Sequence, residues 1–176
     1  WGRHLSGHYV PPAIFGALAA IMPDKVTAES GSPLWNVYFA GQKPDGDGNF
    51  VKMFFMNGGH GARPHGDGPG CLSFPSNVSN QPIEAFEHQV PLITTEKAFI
   101  PDSGGAGKYR GGLGQVIEIA PNAGYEFFFN AMFDRIKHAP RGREGGGPGA
   151  AGSVALDDGT KLAGKGRQHV PHDRRL

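Results

Sequence analysis

Apolar residues recur along this chain at two spacings, and the rhythm breaks wherever glycine and proline accumulate. Ile14, Phe15, Leu18 and Ile21 share one face at helical spacing. Pro11 and Pro12 suit a first helical turn and Pro23 stops it, so the pattern predicts a helix over 11–22. Gly16, Ala17, Ala19 and Ala20 leave small faces on it for close packing. Residues 34–40, with aromatics at Trp35, Tyr38 and Phe39, read as a strand. Dense turn chemistry follows over 43–49, then a second apolar run over 50–56, which together predict a hairpin. Residues 82–88 suit one or two helical turns. Further strands are expected over 98–100, 115–119 and 126–133, the last strongly apolar and therefore central. Residues 121–124 are expected to turn between the last two strands, and 157–160 to form a hairpin turn after Val154, Ala155 and Leu156. No repeat of 20–50 residues is visible. The fold class is α+β, mainly β, and rich in loops.

Two glycine-rich polar stretches interrupt the strands. The first, over 58–70, follows the second strand directly and reads Gly-Gly-His-Gly-Ala-Arg-Pro-His-Gly-Asp-Gly-Pro-Gly; the second, over 101–112, reads Pro-Asp-Ser-Gly-Gly-Ala-Gly-Lys-Tyr-Arg-Gly-Gly. A third covers 141–152. Glycine loses more backbone entropy on ordering than any other residue, so it stands where the chain turns sharply or approaches another group closely. Interspersed His, Arg, Asp, Lys and Ser distinguish these stretches from flexible linkers and suit them as walls of a site.

His60, Arg63, His65 and Asp67 fall within eight residues. Histidine titrates near physiological pH, arginine holds a carboxylate or phosphate with two parallel bonds, and backbone N–H groups between glycines suit an oxyanion. The alternative is a structural turn whose polar groups satisfy one another. His60 and Asp102 are the catalytic candidates; Gly59, Gly61, Arg63, Ser103 and Arg110 are the substrate-binding candidates. Asp102 is equally suited to capping its own turn. Arg110 can clamp an anion or pair internally with Asp102, and the internal pair is the favoured reading. Ser103 has no G-x-S-x-G setting to make it a nucleophile. Three ligands on one loop without a scaffold do not make a metal site, so none is assigned to His60, His65 and Asp67.

Other signatures fail on single positions. A phosphate loop ending at Gly107-Lys108 needs glycine at 102 and Ser or Thr at 109, where Asp102 and Tyr109 stand, and neither of the first two stretches holds G-x-G-x-x-G. Cys71, the only cysteine, excludes an internal disulfide and reads as a small buried apolar group. Phe74 anchors a connector over 73–77 in which Ser76 and Asn77 either bond the glycine stretches or shape a turn. His169, His172 and Asp173 have ligand types, but around Pro171 they read as an exposed end.

Composition narrows the class further. Glycine (29) and proline (15) form a quarter of the 176 residues, while 12 phenylalanines argue against disorder. The length suits one domain. A net charge of +1 provides no field for nucleic acid or membrane, and no apolar run approaches the ~20 residues of a membrane span. A chain without a signal peptide is expected, and with it a cytoplasmic setting, which makes the sequon at Asn77 incidental.

The run Gly58-Gly59-His60-Gly61-Ala62-Arg63, then Ser73 to Pro82, Pro91-Leu92 and Pro101 to Gly112, resembles the hydantoinase B/oxoprolinase family, as do Arg3 to Tyr9, Ala17 to Ala19 and Pro23-Asp24 upstream. Members are longer, so the resemblance implies that residues 1–176 are a C-terminal portion of such a domain. The N-terminal part, with its metal-binding His/Asp cluster, is then absent and a divalent metal is expected there. The resemblance further implies a two-part enzyme and hence a hetero-oligomer. A hydantoinase A-like ATPase subunit uses ATP to phosphorylate a small cyclic amide. The B-type subunit then completes the opening of a hydantoin or 5-oxoproline-like ring by attack of a metal-activated water. Two alternatives accompany it. One is an alpha-type subunit of an ATP-dependent acetone- or acetophenone-like carboxylase; the other is a structural, subunit-docking module without chemistry of its own. The isolated chain is expected to be inactive.

Overall fold

The computed structural model of the chain describes residues 3–42, 46, 48–123 and 125–176. Three short helices, α1 (Arg3–Gly7), α2 (Val10–Leu18) and α3 (Ile83–Glu87), accompany six strands: β1 (Trp35–Gln42), β2 (Asn49–Met56), β3 (Leu92–Phe99), β4 (Gln115–Pro121), β5 (Phe127–Met132) and β6 (Lys165–Val170). The strands form a four-stranded antiparallel sheet in the order β2-β1-β5-β6 and a two-stranded sheet of β3 and β4. The mainly β class, the hairpin of the first two strands and the interior place of β5 agree with the pattern. Of the expected turn over 43–49, Lys43, Pro44, Asp45 and Asp47 lie outside the described residues, as does Gly124 of the turn over 121–124. Among the described residues no helix is long and apolar enough to cross a membrane.

The core rests on alternate positions of the large sheet. Val37 and Phe39 of β1, Phe54 of β2, Phe127, Phe129 and Ala131 of β5 and Val170 of β6 are buried, and Phe86 of α3 covers them. The Phe54 and Phe86 rings lie 4.8 Å apart between centroids, and Phe39 meets Phe86 and Phe127 edge-on at 5.7 Å each. Leu92 and Ile119 anchor the small sheet to the same core.

Register then decides where the glycine stretches go. Trp35 at the start of β1 faces Met56 at the end of β2, and Asn36 faces Met132 at the end of β5. The segment before β1, the stretch after β2 and the stretch after β5 therefore leave the same end of the sheet. There they pack side by side as extended backbone. Gly31 N–H donates to Gly59 O (2.8 Å) and Gly58 N–H to Ser32 O (2.8 Å); His60 N–H donates to Pro69 O (2.9 Å) and Gly112 N–H to His60 O (2.8 Å). The series continues through Gly111 N–H to Gly105 O (3.0 Å), Gly147 N–H to Ala106 O (2.7 Å) and Gly149 N–H to Pro140 O (2.9 Å). It closes where Glu29 N–H donates to Arg141 O (3.3 Å). The bundle uses glycine for proximity. A Cβ on Gly59 would lie 1.9 Å from Gly112 O, and one on Gly112 would lie 2.0 Å from Pro69 O.

Glu29 locks this closure. Its side chain is only 8% exposed; it accepts from Arg135 Nη1 (3.1 Å), from Arg141 Nε (2.8 Å) and Nη2 (2.6 Å), and from Arg141 N–H (3.1 Å). Burial alone would raise its carboxyl, but the hydrogen bonds from Arg141 and the Arg135 charge hold it below its ordinary value of 4.5.

Three expectations change. The first helix stops at Leu18, and its expected inner face is not in the core: no residue of α2 is buried, and Ile14 and Ile21 are 51% and 74% exposed. Its contacts are instead Phe15 with Phe74 and Gly16 with the Arg143 head group. Between β4 and β5, which belong to different sheets, the chain turns as expected: Tyr125 N–H donates to Asn122 O (3.0 Å) and Asn122 N–H to Pro91 O (2.9 Å). The strand expected at 98–100 begins at Leu92 and ends at Phe99: β3 is exposed over 95–99, carries Thr, Glu and Lys, and pairs with β4 through a register shift between Thr94 and Glu96. The end of the chain is also integrated. Residues 165–170 form β6 with Val170 fully buried, Ile119 and Leu176 exchange backbone hydrogen bonds (2.8 and 2.9 Å), and Arg175 bridges Glu118 and Asp157.

Two outcomes follow for stability. Gly112→Ala forces backbone apart and is expected to cost about 3 kcal/mol. Gly7→Ala, with nothing within 4 Å of the added carbon, is expected to stay within about 1 kcal/mol of the parent. Denaturant midpoints of the two variants check the contrast, and equal midpoints would refute bundle packing. Glu29→Gln is expected to cost about 3 kcal/mol at neutral pH, because it leaves Arg135 buried without its partner. The sign follows from the depressed carboxyl: its stabilisation is present above pH 4.5 and disappears as pH falls through the lower folded value. Thermal unfolding from pH 7 to pH 3 should therefore fall more steeply for the parent than for Glu29→Gln; parallel curves would exclude the linkage.

Candidate functional site

The glycine bundle borders an open cavity of about 620 Å³. Gly59, His60, Gly61 and Arg63 of the first stretch and Ser103 of the second line it, whereas Asp102 and Arg110 do not. Strand β2 delivers His60 there, three residues past Asn57, and the bundle holds its backbone on both sides.

His60 is the most constrained of these groups. It is 5% exposed, its ring meets Phe74 edge-on at 4.9 Å, and Nδ1 donates to Gly61 O at 2.7 Å. A carbonyl only accepts, so Nδ1 is the donor in this bond, and Nε2 is the ring atom of the Nδ1–H tautomer that can accept a hydrogen bond. Phe74 thus anchors its connector against the histidine. Ser76 faces away from the glycines: it meets His8 Nε2 at 2.6 Å, while the Ser73 hydroxyl donates to Pro33 O.

The remaining candidates are engaged locally. Arg63 donates from Nε to Asp67 O (2.9 Å), and the Asp67 carboxylate accepts from Arg110 N–H (2.8 Å), which joins the first stretch to the second. Arg110 and Asp102 form the internal pair favoured from the sequence, Nη2 to Oδ1 at 3.0 Å, with side chains 57% and 89% exposed. The Ser103 hydroxyl donates to Ile100 O (2.7 Å) and accepts from Gly114 N–H (2.9 Å), so its one proton is committed to shaping the turn. The expected oxyanion donors are largely committed too: the N–H groups of Gly58, His60, Gly68, Gly111 and Gly112 bond neighbouring carbonyls, and Gly61 N–H donates to the Ser30 hydroxyl (3.1 Å). The glycines act first as packing elements, because extended segments this close must satisfy one another's main chains.

Among the described residues no three His, Cys, Asp or Glu side chains come together to hold a metal ion. His65 and Asp67 are exposed while His60 is buried. Cys71 is half-buried, its thiol is pushed up by burial against a smaller opposing effect of Lys97, and it donates weakly to Leu113 O.

Sequence reasoning missed Glu29 and its arginines. Glu29 lies in an irregular segment with no motif around it, and Arg135 and Arg141 are more than 100 positions away along the chain. The available signal was an acidic residue in a small, otherwise uncharged stretch (Val26 to Ser32) opposite a third glycine stretch that carries two arginines.

This architecture has known counterparts. The chain superposes with a TM-score of 0.71 on the crystal structure of an ATP-dependent caprolactamase from Pseudomonas jessenii, at 22% identity over 90% of this chain and 30% of that one. It superposes with a TM-score of 0.60 on a nucleotide-free acetone carboxylase, at 21% identity over 79% of this chain and 19% of that one. In sequence it is 33% identical over 157 residues to a protein of Pseudomonas sp. (strain NS671) assigned as the B-type subunit of a D-/L-hydantoinase, covering 89% of this chain and 26% of the relative. It is 32% identical over 134 residues to 5-oxoprolinase 1 of Arabidopsis thaliana, covering 71% of this chain and 10% of the relative. The chain thus spans about a quarter of the hydantoinase relative and less of the oxoprolinase. The hydantoinase B/oxoprolinase family model matches residues 1–175. From Trp1 to Arg175, the chain belongs to the hydantoinase B/oxoprolinase family.

Proposed function

We propose that this chain is the C-terminal portion of the B-type subunit of an ATP-dependent cyclic amidase. The amidase opens hydantoin or 5-oxoproline-like rings after a hydantoinase A-like partner has phosphorylated the amide. The observation that carries the reading is the family match over residues 1–175, together with relatives at 32–33% identity that are named as a hydantoinase subunit, a caprolactamase beta subunit and an oxoprolinase. Those names share a cyclic amide C–N bond. The chemistry is consistent with a divided enzyme: an amide is a poor electrophile, and phosphorylation of its oxygen creates a leaving group.

Within that reading the glycine bundle is a rigid wall. His60 presents Nε2 as its hydrogen-bond acceptor or base, and Gly59, Gly61, Arg63 and Ser103 shape the cavity beside it. Asp102 and Arg110 form an outer, exposed pair next to the second stretch. The described residues of this chain do not fit a metal ion, so no step is routed through one here, and the divalent metal of the proposal belongs to segments outside this chain. ATP acts through the partner, in a cytoplasmic hetero-oligomer. A ketone carboxylase is the second reading, favoured by the superposition on acetone carboxylase.

The test uses the full-length protein with its ATPase partner and follows ATP consumption with hydantoins, 5-oxoproline and simple ketones, each with and without bicarbonate. Ring-opened product without bicarbonate is expected; turnover of ketones only with bicarbonate would establish the carboxylase instead. His60→Ala is expected to lower turnover about a hundredfold, in the range of general acid–base effects, with subunit assembly intact by gel filtration. A matching loss in Asp102→Ala would extend the catalytic wall to the second stretch. Unchanged turnover in both would leave a structural docking module.

A further inference from the structure

The imidazole of His60 is held at two points, and each restricts a different motion. The first is the bond from Nδ1–H to Gly61 O (2.7 Å). Its acceptor is itself held in place. Gly61 N–H donates to the buried Ser30 hydroxyl (3.1 Å), and Ala28 N–H donates to Ala62 O (2.9 Å). The approach is close enough that a Cβ on Gly61 would lie 2.1 Å from Ala28 O. This bond places the proton on Nδ1 but holds the ring at one atom. The last torsion of a histidine side chain is broad and roughly two-fold, so a single bond leaves the ring plane free to swing.

Phe74 supplies the second point. Its ring stands at 87° to the imidazole with the centroids 4.9 Å apart, the edge-to-face arrangement that aromatic rings favour at about 4.5–7 Å. Phe74 is half-buried and lies outside the aromatic core of the large sheet. It is nevertheless braced on every side that the chain provides. Phe15 of α2 meets its ring at 6.0 Å. The preceding Ser73 is fully buried, with its hydroxyl on Pro33 O and its carbonyl accepting from Asn77 N–H. Ser76 is tied to His8 Nε2 at 2.6 Å. The connector over 73–77 therefore fixes one ring, and the nearer aromatic neighbour of that ring is His60.

We infer that Phe74 is a positioning residue for His60: it fixes the plane of the imidazole, so that Nε2 keeps one direction. A ring that swings loses the bond to Gly61 O and with it the preference for a proton on Nδ1. The effect on turnover rests on the reading of His60 as the base of the cyclic amidase; the effect on the ring does not.

The experiment uses the full-length protein, joined by its ATPase partner for kinetics with hydantoin, or with acetone and bicarbonate. Phe74→Leu and Phe74→Met remove the ring and keep an apolar side chain, and Phe74→Met serves where Phe74→Leu fails to fold. Phe74→Tyr keeps the ring. Nitrogen NMR with isotope-labelled histidine, at a pH where the imidazole is neutral, reads the His60 tautomer; its signals are identified by their loss in His60→Ala. A single Nδ1–H tautomer is expected in the parent and in Phe74→Tyr, and a mixture of both tautomers in the ring-free variants. In the ring-free variants kcat should fall at least about tenfold, on the scale of a misplaced catalytic group, while KM stays within about twofold. Phe74→Tyr should restore kcat. A parent-like tautomer in the ring-free variants overturns the inference whatever their turnover, as does an unchanged kcat beside an inactive His60→Ala. A fully active His60→Ala would instead remove the base reading, and the tautomer alone would then decide whether Phe74 sets the ring.

Discussion

Main chain packed directly on main chain is the constraint from which the rest of this structure follows. A buried N–H or C=O must find a partner, and here whole segments find theirs in other segments rather than within a helix or sheet. The carbonyl of His60 illustrates how tight the arrangement is. It accepts from Gly112 N–H at 2.8 Å and lies 2.1 Å from where a Cβ of Gly68 would be. The same residue donates its N–H to Pro69 and its ring proton to Gly61. A side chain on Gly68 would clash with the His60 carbonyl, and one on Gly112 with the Pro69 carbonyl that His60 N–H bonds, so His60 is positioned by the absence of side chains beside it.

Two kinds of interior meet at the end of the large sheet. Below is an aromatic core held by dispersion and apolar burial; above is a polar one held by hydrogen bonds. Trp35 joins them. Its ring stacks on Phe133 at 4.3 Å, its Nε1–H donates to Asp134 O at 2.8 Å, and Gly152 approaches so closely that a Cβ there would lie 2.3 Å from the indole. Above this joint, Glu29 and its two arginines provide the only compact charge network of the bundle among the described residues. An ion pair there trades desolvation for fixed geometry, which suits a structure whose segments lack interlocking side chains.

How much of this was legible depended on whether the signal was local. The hairpin of β1 and β2 was, because aromatic runs bracket a cluster of turn residues. The interior place of β5 was legible from its continuous apolar run, and the pair of Asp102 with Arg110 from their short spacing. Strand β6 was not, since Lys165 to Val170 contributes one buried side chain and takes its pairing from β5. The helical pattern at Ile14 and Ile21 was read as a core face because periodicity reports amphipathicity without naming what covers it. The glycine stretches were recognised as ordered, yet their role as packing elements depended on partners far off in sequence, which no window along the chain contains.

The return bond between Glu29 and Arg141 also bears on how the protein is made. The two residues are 112 positions apart, and the segments they close contribute backbone rather than apolar surface. The β1–β2 hairpin finds its partner close by in sequence, whereas the segments joined at Glu29 take a partner more than a hundred positions away. Loop closure over such a span is slow relative to local pairing. The cavity beside His60 therefore depends on contacts between residues far apart along the chain.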